Sequence, residues 1–159
     1  LLRRAGIDVV TAGLKPGIVK ASRGVQLVPD VTLDVALQDS YDMVVLPGGM
    51  PGAAHLKADP RIIQLLKTMA AAGKYTAAIC AAPMVLAEAG LLAGKQATSY
   101  PGFLDALPGV TVSTAAVVQD GKVVTSRGPG TAMDFALALI EALAGADTRR
   151  QVETALVRP

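Results

Sequence analysis

The chain has 159 residues, enough for one domain spanning 1–159 with a full-sized core, and 52% hydrophobic against 18% charged residues excludes a disordered polypeptide. The net charge of +2 carries no basic run, so phosphate-based nucleic-acid binding is not expected, and no stretch reaches the ~18–20 unbroken apolar residues of a membrane span. The single cysteine excludes an internal disulfide and suits a reducing, cytoplasmic setting.

With 3% aromatics and no Trp, the core must be built from Ala, Val, Leu and Ile. Leu1 to Gly6 reads as the tail of an amphipathic helix, with Gly6 at the left-handed cap, and implies that residues once preceded Leu1. Ile7 to Ala12 is β-like, and Val25 to Val28 is a second short strand. Thr32 to Leu37 suits a short helix. Asp42 to Leu46 is a strongly apolar strand running into Pro47-Gly48-Gly49, where two glycines force a turn. Asp59-Pro60 starts a helix, with Asp as N-cap and Pro at the first helical position, and Ile62, Ile63, Leu65, Leu66 and Met69 supply its apolar face up to Gly73.

Thr76 to Ile79 is a small-residue strand leading directly into Cys80, followed by a helix from Met84 to Ala89 capped by Gly90. Gln96 to Ser99 and Val110 to Val118 are strand-like. Asp120-Gly121 signals a hairpin that returns through Lys122 to Ser126. After the break at Gly128-Pro129-Gly130-Thr131 come a long helix, 132–144, and a final one, 147–156. Apolar strands interleaved with helices indicate a parallel sheet covered on both faces, with sites at the carboxyl ends of its strands. Pro47-Gly48-Gly49 and Cys80-Ala81-Ala82-Pro83 fall at such ends.

A cysteine between a strand and a helix lies near free backbone N–H groups that favour a thiolate, and Ala78, Ala81 and Ala82 are small enough for a sharp nucleophile elbow. The same position also suits a buried core cysteine. Gly48, Gly49 and Ala81 are the natural backbone donors for a developing oxyanion. The only histidine, His55, lies in the Gly-Ala loop after Gly49 and reads as a surface residue rather than a base. Arg23 and Arg127, each beside a turn glycine, suit anion binding, subunit bridging or plain solvation. Glu88 and Glu141 fall on helices and read as solvated. No cluster has metal-ligand spacing.

Three runs together, Val44-Val45-Leu46-Pro47-Gly48-Gly49, Ala78-Ile79-Cys80-Ala81-Ala82-Pro83 and Thr125-Ser126-Arg127-Gly128-Pro129-Gly130-Thr131, resemble the ThiJ/PfpI superfamily. Within it the chain is most similar to the branch of the parkinsonism-associated deglycase and its bacterial relatives. The resemblance implies a flavodoxin-like three-layer sandwich, usually a homodimer, with no organic cofactor or metal. It implies that Cys80 is the oxidation-sensitive nucleophile, that Gly49 and Ala81, with Gly48 beside them, line an anion pocket, and that Arg4, Arg23, Tyr100, Arg127 and Pro129 lie near the pocket or the subunit interface. Tyr100 stands where human-type members carry histidine, and a phenol with a pKa near ~10 is a poor base at neutral pH. The family's glutamate that tunes the cysteine, and its first, central strand, would both precede Leu1, so a separate N-terminal fragment completing the fold is one expectation. Ala81 in place of a histidine after the cysteine argues against a peptidase. The implied activities are glyoxalase III-type conversion of methylglyoxal and deglycation of early glycation adducts, protective in oxidative stress. The alternative is a non-catalytic redox sensor or holdase using oxidation of Cys80. A thiol hydrolase or hydratase would need His55 or Tyr100 against Cys80.

Overall fold

The computed structural model describes residues 1–158. Its centre is a four-stranded ladder in the order β5 (Met43–Leu46), β6 (Tyr75–Ile79), β10 (Val123–Ser126) and β9 (Val117–Asp120). The first three strands run parallel, and β9 closes one edge antiparallel to β10. A separate parallel pair joins β1 (Ala12–Gly13) to β4 (Val31–Thr32), and β2 (Val19–Lys20) and β3 (Gln26–Leu27) form a small antiparallel hairpin. Short β7 (Gln96–Ala97) and β8 (Thr111–Val112) pair in parallel.

Side-chain alternation along the central strands makes the protein three-layered. Leu46, Ala78 and Val123 face one side, where they meet α1 (Leu33–Ala36), α2 (Gly52–Ala58), α3 (Pro60–Ala71) and α4 (Pro83–Glu88). Met43, Ala77, Ile79 and Val124 face the other, where Phe135 and Leu139 of α5 (Ala132–Thr154) cover them. A 3-10 turn at Arg3–Ala5, ended by left-handed Gly6, lies on this second side; its neighbour Leu2 packs with Phe135 and with the Leu137, Ile140 and Val152 cluster. This is the flavodoxin-like sandwich expected from the sequence.

Local signals are realised where they are self-contained. The Asp59 carboxylate accepts the Arg61 N–H at 2.9 Å and Pro60 is the first residue of α3. Elsewhere longer-range partners shift the elements. Residues 7–11 take no ladder, so the expected strand shrinks to β1. The strand expected at Val110 to Val118 splits, because Ser113 donates its N–H to Ala97 and its hydroxyl accepts from Ala115, turning the chain. Thr98 leaves β7 because its N–H bonds the Thr125 hydroxyl at 2.9 Å. The hairpin turn moves one residue on, to Gly121-Lys122: Asp120 stays in β9, its carboxylate accepting from the Gln96 N–H at 3.0 Å and from Lys95. The two expected C-terminal helices form one run interrupted at Gly145, whose φ of 84° and ψ of 168° break the helix between them. The Gly-Ala loop holding His55 is instead helix α2.

Candidate active site

β6 is built from small residues, with Thr76, Ala77 and Ala78 fully buried, and it delivers Cys80 to the carboxyl edge of the ladder. There the backbone turns sharply, and Cys80 adopts φ +64°. A left-handed conformation at a residue with a Cβ costs about 1–2 kcal/mol, so the surroundings must impose it. They do so through both backbone groups of Cys80. Its N–H donates to the Ser126 carbonyl at 2.9 Å, and its carbonyl accepts from the Tyr100 N–H at 2.9 Å. Ala82 donates to Ile79 at 3.1 Å, closing the turn, and Pro83 opens α4. Ala81 and Ala82 are buried, whereas Cys80 is part-exposed. Cys80 is therefore not a sealed core residue.

Opposite the elbow lies the end of β5. A Cβ on Gly48 would stand 2.6 Å from the Cys80 Cβ and 2.8 Å from the Ile79 carbonyl oxygen, so only glycine fits. Gly49 has φ +89°, and a Cβ there would lie 3.5 Å from the Ser22 hydroxyl. The turn between β2 and β3, which carries Ser22 and Arg23, thus overhangs the Gly-Gly corner. The N–H groups of Gly48, Gly49 and Ala81 have no intramolecular acceptor among the described residues. Three backbone donors at the ends of β5 and β6 are thereby unpaired among the described residues.

A third wall comes from Tyr100 and the loop after β10. Tyr100 is half-exposed, meets Phe103 edge to face with centroids 6.4 Å apart, and stands with its ring edge 3.5 Å from where a Gly128 Cβ would be. The Gly128 loop is fixed from beneath. Gly128 donates its N–H to the Thr131 hydroxyl at 3.1 Å; that hydroxyl lies 2.7 Å from the Ser126 hydroxyl, which donates to Ala116 at 2.9 Å. Ser126 therefore holds the elbow through its carbonyl and the loop through its side chain. Ser126 and Thr131 belong to the third sequence run, but their supporting roles come only from the tertiary pairing of β10 with β6, and Ser22 reaches Gly49 only through the fold of the β2–β3 turn.

The remaining residues divide. The Arg127 guanidinium donates to the Thr114 carbonyl at 3.3 Å, and Pro129 lies exposed in a 3-10 turn beside Gly128. Arg4 is exposed in the N-terminal 3-10 turn, whose packing is with α5, and no hydrogen bond or ion pair links it to the elbow among the described residues. His55 is exposed on α2 and has no hydrogen bond to Cys80. Glu88 pairs with Lys57 at 3.1 Å and Glu141 with Arg149 at 3.3 Å, both on the surface as expected. Among the described residues no group of acidic, His and Cys side chains could hold a metal ion, and no helix is long and apolar enough to cross a membrane.

A flavodoxin-like sandwich with a strained cysteine at a strand-to-helix elbow, facing a Gly-Gly corner, is the class that these features define. The family model described as the DJ-1/PfpI family matches residues 1–142, and the chain belongs to that family. It is 45% identical over 160 residues to protein dj-1beta of Drosophila melanogaster, covering 99% of this chain and 86% of the relative. It is 38% identical over 147 residues to glutathione-independent glyoxalase DJR-1.2 of Caenorhabditis elegans, covering 91% of this chain and 78% of the relative. The crystal structure of Drosophila DJ-1beta superposes with a TM-score of 0.94 at 43% identity, covering 99% of this chain and 87% of that one.

Proposed function

We propose that the protein is a cysteine-dependent enzyme of the glyoxalase III or deglycase type, acting on methylglyoxal or early glycation adducts and protective in oxidative stress. The observation that carries this reading is the part-exposed Cys80 at φ +64°, packed against Gly48 at an elbow where the N–H groups of Gly48, Gly49 and Ala81 have no acceptor among the described residues. Kinship to a named glyoxalase supports it. In the proposed reaction the Cys80 thiolate adds to the aldehyde carbon of methylglyoxal, and the three N–H groups stabilise the alkoxide of the resulting hemithioacetal. A proton then moves from the aldehyde carbon to the neighbouring ketone carbon through an enediol. The first carbon is oxidised and the second reduced, leaving a lactoyl thioester that water cleaves to lactate and free thiol. No external oxidant is needed. Tyr100 serves as a hydrogen-bond donor at the rim.

A homodimer is part of the proposal. Ile18, Val19, Val25, Leu27 and Val28, in and beside the β2–β3 hairpin, and Met50 are exposed apolar side chains of the kind a subunit interface covers. The test of the chemistry is methylglyoxal consumption, with lactate assayed, for the wild type and Cys80→Ser. Loss of turnover in the variant is expected, and unchanged turnover overturns the mechanism. Stable gain of two oxygens on mild peroxide treatment, with negligible turnover in the wild type, would favour a redox sensor instead.

A further inference from the structure

Thr131 stands at the N-cap of α5, yet its hydroxyl caps nothing in that helix. An N-cap threonine ordinarily has extended backbone angles and accepts from an N–H two or three residues further on. Here the residue has φ −107° and ψ 9°, and the hydroxyl turns back along the chain. It accepts the Gly128 N–H at 3.1 Å and lies 2.7 Å from the Ser126 hydroxyl. The Ser126 proton goes to the Ala116 carbonyl at 2.9 Å, so the proton between the two hydroxyls comes from Thr131. The Gly128 carbonyl, 3.0 Å from the Thr131 hydroxyl, keeps its bond from the Thr131 N–H, also at 3.0 Å. The helix forgoes its cap, and the hydroxyl serves the strand end and the loop before it.

From this hydroxyl two short routes lead to Cys80 and meet it at both of its backbone groups. The first passes through Ser126, which is fully buried. Its side chain is bonded to Thr131, and its carbonyl accepts the Cys80 N–H at 2.9 Å. The second passes through Gly128. The Tyr100 ring lies against this glycine, 3.5 Å from where a Cβ would stand, and the Tyr100 N–H donates to the Cys80 carbonyl at 2.9 Å. No hydrogen bond joins Thr131 to Cys80 directly among the described residues. We propose that Thr131 is a positioning residue for Cys80: its hydroxyl ties Ser126 to Gly128 and, through both, holds the cysteine in its left-handed conformation.

The neighbouring anchors show why the hydroxyl is needed. Arg127 is held by its own N–H on the Ala116 carbonyl at 3.1 Å and by its guanidinium on the Thr114 carbonyl at 3.3 Å. These bonds fix the chain as far as Arg127 and no further. The Gly128 N–H has no acceptor other than Thr131 among the described residues. A backbone at φ +64° is disfavoured for any residue with a Cβ, so Cys80 stays there only while the groups bonded to it stay in place. Loss of the Thr131 hydroxyl orphans the Gly128 N–H and frees the Ser126 side chain from the loop. Both routes to Cys80 loosen together. The catalytic consequence rests on the reading of Cys80 as the nucleophile; the conformational one does not.

The test is amide hydrogen exchange by NMR on the wild type, on Thr131→Val, which keeps the shape and removes the hydroxyl, and on Thr131→Ser, which keeps the hydroxyl. The Thr76 amide, bonded to the Lys122 carbonyl at 2.9 Å near the far end of β6, reports overall stability. In Thr131→Val the Cys80 and Tyr100 amides should exchange at least about tenfold faster relative to Thr76, and Thr131→Ser should match the wild type. Equal acceleration at all three amides would mean that the hydroxyl serves overall stability alone, and unchanged exchange at Cys80 and Tyr100 would mean that neither route carries its effect. Either result overturns the proposal, as does a serine variant that behaves like the valine one. Where Thr131→Val does not fold, Ser126→Ala breaks the same pair from the other side and is read in the same way. Methylglyoxal kinetics supply the second readout: Thr131→Val should lower kcat by about 10–100-fold with KM within about twofold, and an unchanged kcat overturns the proposal. A wild type without turnover overturns the enzymatic reading instead, and the exchange pattern then decides the role of Thr131 by itself.

Discussion

Gly48→Ala is the sharpest perturbation of the elbow. The added methyl would sit 2.6 Å from the Cys80 Cβ and 2.8 Å from the Ile79 carbonyl oxygen, about 1 Å and about 0.6 Å inside normal contact. Neither neighbour is a flexible side-chain end. The carbonyl belongs to β6, and the Cys80 Cβ is fixed by a backbone bonded at both its N–H and its C=O. Overpacking of this kind costs about 1–3 kcal/mol, which for a chain of this length lowers Tm by roughly 2–12 °C. The clash relaxes by moving β5 away from the elbow, which spreads the Gly48, Gly49 and Ala81 donors. Displacement of about 1 Å at a reacting centre is worth about 100-fold in turnover. Gly52→Ala is the control, since a Cβ there meets nothing within 4 Å. Thermal unfolding and methylglyoxal turnover are measured for both. A Gly48→Ala protein that melts with the control and turns over as fast refutes the packing that defines the site.

The strain at φ +64° gives a second expectation: Cys80→Gly should be more stable than Cys80→Ala by about 1 kcal/mol in urea unfolding, although both lack the thiol, and equal stability would show that the elbow is unstrained. The Asp59 carboxyl is held below the ordinary range by side-chain hydrogen bonds from Arg61, against a smaller opposing effect of burial. Its contribution to stability is therefore complete above the unfolded value near ~3.9 and is lost as pH falls through the lower folded value. Melting curves from pH 5 down to 2 should fall less steeply for Asp59→Asn than for the wild type, and parallel curves would contradict the assignment. Leu27→Lys places a charge on the exposed hairpin and should turn a sedimenting dimer into a monomer without lowering Tm at low protein concentration; a wild type that is already monomeric removes the hairpin as the interface.

What could be read from the sequence is what is decided within a few residues. Asp59-Pro60 caps its helix by local chemistry, and Gly48-Gly49 and Cys80 stand at strand ends because apolar runs stop there. What could not be read depends on partners far along the chain. The strain at Cys80 comes from Ser126 and Tyr100, and the Gly128 wall from Thr131 and Ser126. Asp120 moves the hairpin turn because Lys95 and the Gln96 N–H hold its carboxylate. His55 sits on a helix whose Gly-Ala composition gives no periodic signal. Ile7 to Val10 has the pattern of a strand but takes no ladder, since a strand is defined by its neighbours as much as by its own residues.

The most direct measurement of the role given to Cys80 is stoichiometric alkylation. With one cysteine in the chain, iodoacetamide adds a single carbamidomethyl group at a known site, and intact mass gives the modified fraction. Methylglyoxal turnover assayed on the same samples should fall in proportion to that fraction and vanish at full modification. Turnover that persists in fully alkylated protein would show that the chemistry proceeds without Cys80.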